Sequence, residues 1–261
     1  MCTIIAKKFP NLGWVGIKNR DRPFATRTEL LRTEKNSIQR VALLDERTHW
    51  SEGMNSNGVS IISSSLTPDY GEKRAKMHDS RNGGKIRDAL SMPTVEDAVH
   101  FLREAHATGC IFVFDKDVCY LIEGEFGTQQ QKIQEIKNDT VVRTNHGILL
   151  PHAGYQKNSK SIENRMKRVS SDARLLIGTY VADVAKSPEE MMVLMAKQYT
   201  DNPQINTLRH ATDDIEVRTT EQLILEPSKK FMLVRNTDGI LDFDQQSANP
   251  PGSKILVGRV D

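Results

Sequence analysis

The chain predicts an α+β protein built on largely antiparallel sheets, and three observations carry that prediction. Short alternating or apolar segments open and close the sequence, with helical periodicity confined to blocks between them. Turn signals such as Asn57-Gly58 join segments close enough to pair as hairpins, since both residues tolerate positive φ. Strands and helices also come in groups rather than in regular βαβ alternation. Two successive helices between sheet-forming blocks suit sheets packed face to face with helices outside: a four-layer αββα sandwich, one domain over 1–261.

The elements follow in order. Thr3 to Ala6 and Trp14 to Lys18 read as strands joined by the turn-rich Pro10-Asn11-Leu12-Gly13. A second pair surrounds Asn55-Ser56-Asn57-Gly58. Asn82-Gly83-Gly84-Lys85 lacks the spacing and the following Ser or Thr of a phosphate loop, so it reads as a plain loop, and 66–81 is expected to line a cleft. From Thr94, a capping residue, the stripe Val95, Ala98, Val99, Leu102 and Ala105 predicts a helix with Glu96 and Asp97 in its first turn. A hairpin follows, Ile111 to Phe114 and Val118 to Ile122, turning at Asp115-Lys116-Asp117, and strand-like sequence continues to Asn145.

One helix is predicted over roughly Ser161 to Tyr180 with Ile162, Met166, Val169, Ala173 and Leu176 facing inward. Another starts at Ser187-Pro188-Glu189-Glu190, a capping box with Pro at the first helical position, and its Met191, Met192, Leu194 and Met195 read as core filler. Thr219 to Leu225, Phe231 to Val234 and Ile255 to Val257 close the chain as strands.

Composition narrows the function classes. Charged residues make up 27% of 261 and the net charge is only +2, with no basic stripe or acidic tail, so nothing points to nucleic acid or an anionic membrane. No apolar run approaches the ~20 residues that span a bilayer. The stretch after Met1 is too short for a signal-peptide core, so a cytoplasmic protein is expected. Three cysteines at unrelated spacings suit neither a disulfide framework nor a zinc site, and no metal or cofactor is expected. Cys110 and Cys119 lie in strand-like runs and read as buried thiols.

Cys2 differs by its position. Methionine before a small residue is usually trimmed, which leaves Cys2 with both a thiol and a free α-amine, groups whose ordinary pKa values lie near ~8.5 and ~7.7–8.0. At neutral pH the amine is then a feasible base for its own thiol, and no histidine partner is needed. Lys18-Asn19-Arg20-Asp21 follows the second predicted strand; it reads either as a solvated turn or as a carboxylate and cations that orient the amine. Arg143-Thr144-Asn145-His146-Gly147 is either a turn or a place where the Asn145 amide donates to an oxyanion. His146 and His152 are too loosely spaced for a metal pair.

Met1-Cys2, Lys18-Asn19-Arg20-Asp21, Gly53-Met54-Asn55-Ser56-Asn57-Gly58-Val59 and Thr144-Asn145-His146 occur in an order that resembles the choloylglycine hydrolase and penicillin acylase superfamily, including the related acyltransferase branch. The resemblance implies an N-terminal-nucleophile (Ntn) hydrolase fold and cleavage of a linear, non-peptide C–N amide bond in a small-molecule N-acyl substrate. It assigns Cys2 as nucleophile and base, Asp21 as the carboxylate that hydrogen-bonds it, and Asn145 as an oxyanion donor. Lys18 stands where the family has Arg, with Arg20 two residues on, and Lys cannot make the planar two-pronged contact. Arg209 matches the family's late Arg. Asn55 and His146 are expected to hold the substrate, and homo-oligomers follow by analogy alone. A papain-type Cys/His hydrolase would leave the position of Cys2 a coincidence. An acyltransferase using the same thioester, and a non-catalytic binding protein on the same fold, remain as alternatives.

Overall fold

A computed structural model describes residues 2–22, 28–45, 52–66, 80–208, 217–237 and 255–260. In chain order the elements are β1 Cys2–Phe9, β2 Gly13–Arg22, β3 Thr28–Lys35, β4 Ile38–Asp45, β5 Glu52–Asn55, β6 Ser60–Ser64, α1 Ser80–Ala89, α2 Val95–Glu104, β7 Gly109–Phe114, β8 Cys119–Gly124, β9 Gln131–Glu135 and β10 Thr140–Arg143. Then come α3 Ile162–Val184, α4 Pro188–Ala196, β11 Arg218–Glu226, β12 Phe231–Asn236 and β13 Ile255–Arg259. The strands form a six-stranded sheet of order β10-β1-β2-β11-β12-β13 and a seven-stranded sheet of order β3-β4-β5-β6-β7-β8-β9. Every neighbouring pair is antiparallel.

Three apolar layers hold four layers of structure together. Between the sheets lie Ile4, Met54, Ile62, Phe112, Phe114, Leu223 and their neighbours. Outside the seven-stranded sheet, Ile86, Leu90, Ala98 and Leu102 from α1, α2 and their junction pack on Ile61, Ile111 and Ile122. Outside the six-stranded sheet, Val181, Met191, Met192 and Met195 pack on Ile5, Ile17 and Ile224. Each of these side chains larger than alanine, once fully buried, stabilises the fold by about 1.5–3 kcal/mol. Strand alternation sorts them: Ile4 and Ala6 of β1 face the central layer, Ile5 the helices. The Thr94 and Ser187 caps form, accepting from the backbone N of Asp97 and of Glu190, each at 3.1 Å. Cys110 and Cys119 are buried free thiols, and burial raises the pKa of both.

Several expectations need correction. The segment 82–85 belongs to α1 rather than to a loop. Strands β3 and β4 were not anticipated, because mixed runs such as Thr33-Glu34-Lys35-Asn36 carry no clean alternation. Leu66 is buried in the central core, and 67–79 lies outside the described residues.

The largest reversal is α3. Ile162, Met166, Val169 and Leu176 are exposed, whereas Asn164, Ser170, Ser171, Arg174 and Gly178 are buried. The helix turns its polar side inward because strands β1 and β10 present polar groups that need partners there, and Gly178 permits the close approach. A Cβ on Gly178 would sit 2.8 Å from Val142 Cγ1. Among the described residues, no helix is long and apolar enough to cross a membrane.

Candidate active site

Register brings the site together. Cys2, the first residue of β1, lies opposite Arg20 of β2. On its other side Ile4 pairs with Arg143 of β10, so the chain leaving β10 carries Asn145 alongside Cys2. Asn145 Oδ1 accepts from the Cys2 nitrogen at 2.8 Å, and its Nδ2 donates to Ser65 O at 2.9 Å, just beyond β6 of the other sheet. These two bonds fix which way the amide points. Nδ2 carries two hydrogens, of which Ser65 takes one.

Arg174 completes this arrangement and was not singled out in the sequence. It projects from α3, is fully buried, and donates through Nη1 to Cys2 O at 3.1 Å and through Nη2 to Asn145 Oδ1 at 3.2 Å. The same Nη1 lies 3.7 Å from Asp21 Oδ2. Its planar fork therefore ties Cys2, the Asn145 amide and the Asp21 carboxylate together, a task that the compact ammonium of Lys does not perform. Asp21 Oδ1 accepts from Thr219 Oγ1 at 2.7 Å. A β-bulge between Thr219 and Glu221 lies beside this contact and re-aims the strand end.

Lys18, Asn19, Arg20 and Asp21 lie within β2 and are buried, not in a solvated turn beyond its end. Alternation splits them. Lys18 and Arg20 face the opposite sheet, where Lys18 Nζ bonds Glu52 Oε1 and Arg20 Nε lies 3.9 Å from Glu52 Oε2. Asn19 and Asp21 face the helices, with Asn19 Nδ2 donating to Met195 O at 3.0 Å and Thr207 O at 2.8 Å. The register places the Cys2 side chain on the face shared with Arg20 and Lys18, between the sheets. Glu52, which balances these cations, is a second residue that sequence reasoning missed; its one signal was a charge opening a Gly-Met-Asn segment.

A network behind Asn145 holds its backbone. Asn145 N donates to Ser171 Oγ at 3.0 Å, which lies 2.7 Å from Thr144 Oγ1 and 2.8 Å from His146 Nδ1. His146 Nε2 is 3.4 Å from Asp172 Oδ1. Burial, reinforced by Arg168, lowers the His146 pKa to about 4, so the ring is neutral near pH 7. A proton on Nε2 faces Asp172 and leaves Nδ1 to accept from Ser171. The next turn is captured by buried Glu123, whose Oε2 accepts from the backbone N of Ile148, Leu149 and Leu150 at 2.8–2.9 Å. Arg143 Nε donates to its other oxygen at 3.0 Å. Gly147 is required in that turn, because a Cβ there would stand 2.1 Å from Leu150 O.

Two expected substrate contacts lie elsewhere. Asn55 is fully buried on the helix-facing side of β5, with Nδ2 donating to Leu90 O and Met92 O and Oδ1 accepting from Asn57 N and Val59 N. Its hydrogen-bonding capacity is spent pinning the end of α1 to the β5–β6 turn. His146 faces α3 and not a cleft, so the structure gives it a supporting position. Arg209 lies outside the described residues. Among the described residues, no cluster of His, Cys, Asp and Glu could hold a metal ion.

No protein-family profile matches the chain, and no characterised protein matches it by sequence. Among solved structures it is similar to a point mutant of the conjugated bile acid hydrolase from Clostridium perfringens, at 10% sequence identity and a TM-score of 0.59 over 100% of this chain and 98% of that one. It is also similar to penicillin V acylase from Agrobacterium tumefaciens, at 15% identity and a TM-score of 0.48 over 90% of this chain and 83% of that one. The first of these likenesses runs the length of both chains and shows a shared fold, here two facing antiparallel sheets with helices outside.

Proposed function

We propose that the chain is an N-terminal-nucleophile amidohydrolase of the choloylglycine hydrolase type, acting on a small N-acyl amide through Cys2 once Met1 is removed. The observation that carries the reading is the 2.8 Å bond from the Cys2 nitrogen to Asn145 Oδ1, with Arg174 clamped on both partners. The likeness in fold to an amide-cleaving enzyme supports the reaction class.

The chemistry follows from the two groups on one residue. The free α-amine donates one hydrogen to Asn145 Oδ1 and turns its lone pair to the thiol, whose proton it takes. The thiolate attacks the substrate carbonyl carbon. The second hydrogen of Asn145 Nδ2 and a nearby backbone N–H stabilise the oxyanion, roughly 3–4 kcal/mol per donor in comparable sites. Collapse breaks the C–N bond as the α-ammonium gives its proton to the leaving nitrogen. Water, deprotonated by the same amine, then hydrolyses the thioester and releases the acid. Asp21 and Arg174 keep the amine and amide in register but do not touch the reacting carbon.

The Lys18 departure does not favour a non-catalytic protein on this reading. The two-pronged contact is made from α3 by Arg174, and Lys18 is engaged with Glu52. The test is a panel of N-acyl amides assayed with the parent protein and with Cys2→Ala. Hydrolysis of at least one amide, abolished in a folded Cys2→Ala protein, is the expected result. Undiminished turnover in that variant rules Cys2 out as nucleophile.

A further inference from the structure

The outward face of α3 has a periodicity that a solvated helix does not need. Ile162, Met166, Val169, Ala173, Leu176 and Tyr180 follow one another at alternating steps of four and three residues. That is the a/d spacing of a coiled-coil seam, sustained for almost three heptads. Leu176 is 72% exposed, Ile162 66%, and Met166 and Val169 64% each. The opposite face of the same helix is committed to Arg174 and Ser171, which hold the site. Among the described residues Tyr180 meets the Tyr199 ring edge to face at 6.0 Å, and Ile162, Met166, Val169 and Leu176 are left exposed.

We infer that this seam pairs with the same seam of a second copy of this chain, the two helices running antiparallel. An antiparallel arrangement aligns every a position with a d position of the partner: Ile162 with Tyr180, Met166 with Leu176, and Val169 with Ala173, where the small alanine lets the helices approach. Charge favours the same direction. Exposed Lys157, Lys160 and Arg165 outweigh Glu163 at the N-terminal end of the helix, and exposed Asp183, Glu189 and Glu190 outweigh Lys186 at the other end. Antiparallel pairing sets the positive end of each copy against the negative end of the other, whereas parallel pairing sets like against like. The helix is about 34 Å long and the seam about 10 Å wide. Roughly 340 Å² is well below the ~800 Å² per partner of a standard interface, so the dimer is expected to dissociate in about the micromolar range.

Sedimentation velocity on the full chain across the micromolar range tests this. The expected result is a monomer–dimer equilibrium that Leu176→Glu weakens more than about 100-fold, since the residue is buried twice in a symmetric pair. A circular dichroism spectrum and melting curve matching the parent show that the variant is folded. Orientation is read by oxidation: a mixture of Val169→Cys and Ala173→Cys copies should form a disulfide-linked dimer more efficiently than either variant alone. A monomer at every concentration, a dimer indifferent to both Leu176→Glu and Met166→Glu, or preferential self-linking of Val169→Cys each overturns the proposal. So does a monomer that floats with phosphatidylcholine vesicles, which would give the seam to lipid instead.

Discussion

Arg174 offers the sharpest test of how the site is held. It is fully buried, donates at 3.1 and 3.2 Å to Cys2 O and Asn145 Oδ1, and lies 3.7 Å from the Asp21 carboxylate. Arg174→Met keeps most of the volume but removes the charge, leaving Asp21 buried without this cation. Removing one partner of a buried pair costs about 3–5 kcal/mol. At ~3 kcal/mol per molar of urea, the unfolding midpoint should fall by roughly 1–2 M. Asp21→Asn should be milder, and the double variant Arg174→Met/Asp21→Asn should recover about 1–3 kcal/mol relative to the sum of the singles, because the carboxylate that suffers is no longer there. Urea unfolding of the four proteins measures that coupling. Additivity within about 0.5 kcal/mol would refute the claim that guanidinium and carboxylate act as a pair. Arg174→Lys separates position from charge: it cannot reach both acceptors, so kcat should fall by roughly 100-fold while KM stays close to the parent value.

Three further outcomes are expected. Asn145→Ala should lower kcat by about 100- to 1000-fold with the fold retained, as loss of an oxyanion donor does elsewhere. Asn55→Ala, by contrast, should lower the melting temperature and leave KM near the parent value; a large rise in KM at unchanged stability would restore the substrate contact expected from sequence. His146, with its folded pKa lowered to about 4 from an ordinary 6.5, stabilises the protein fully above pH 6.5. That contribution is lost as pH falls from 6.5 through about 4, because the unfolded state takes up the proton first. Urea unfolding of His146→Gln over the same pH range should lack this slope.

How far the sequence was legible depended on whether a signal was local. Periodicity located the α2 stripe and the α4 methionines, and the caps at Thr94 and Ser187 form as their residue types require. The α3 stripe was just as clear but its direction was not. Periodicity says which residues share a face; what the face meets depends on the neighbouring surface, here the polar ends of β1 and β10. At the site, Cys2, Asp21 and Asn145 stood out because each lies at a strand end within a short motif. Arg174 and Glu52 did not, since one sits mid-helix and the other opens a short strand in the opposite sheet. Both acquire these partners only when register and packing bring together residues 29 to 172 positions apart. Asn55 misled for a related reason. Its motif is real, but its side chain is spent on the turn that the motif builds.

The central claim is that Cys2, carrying a free α-amine, is the nucleophile. Mass analysis of acid-quenched enzyme turning over an N-acyl amide tests it most directly. The account expects protein lacking Met1 and a transient acyl adduct confined to the N-terminal peptide on Cys2. Full activity with Met1 retained, or an adduct on any other residue, would contradict it.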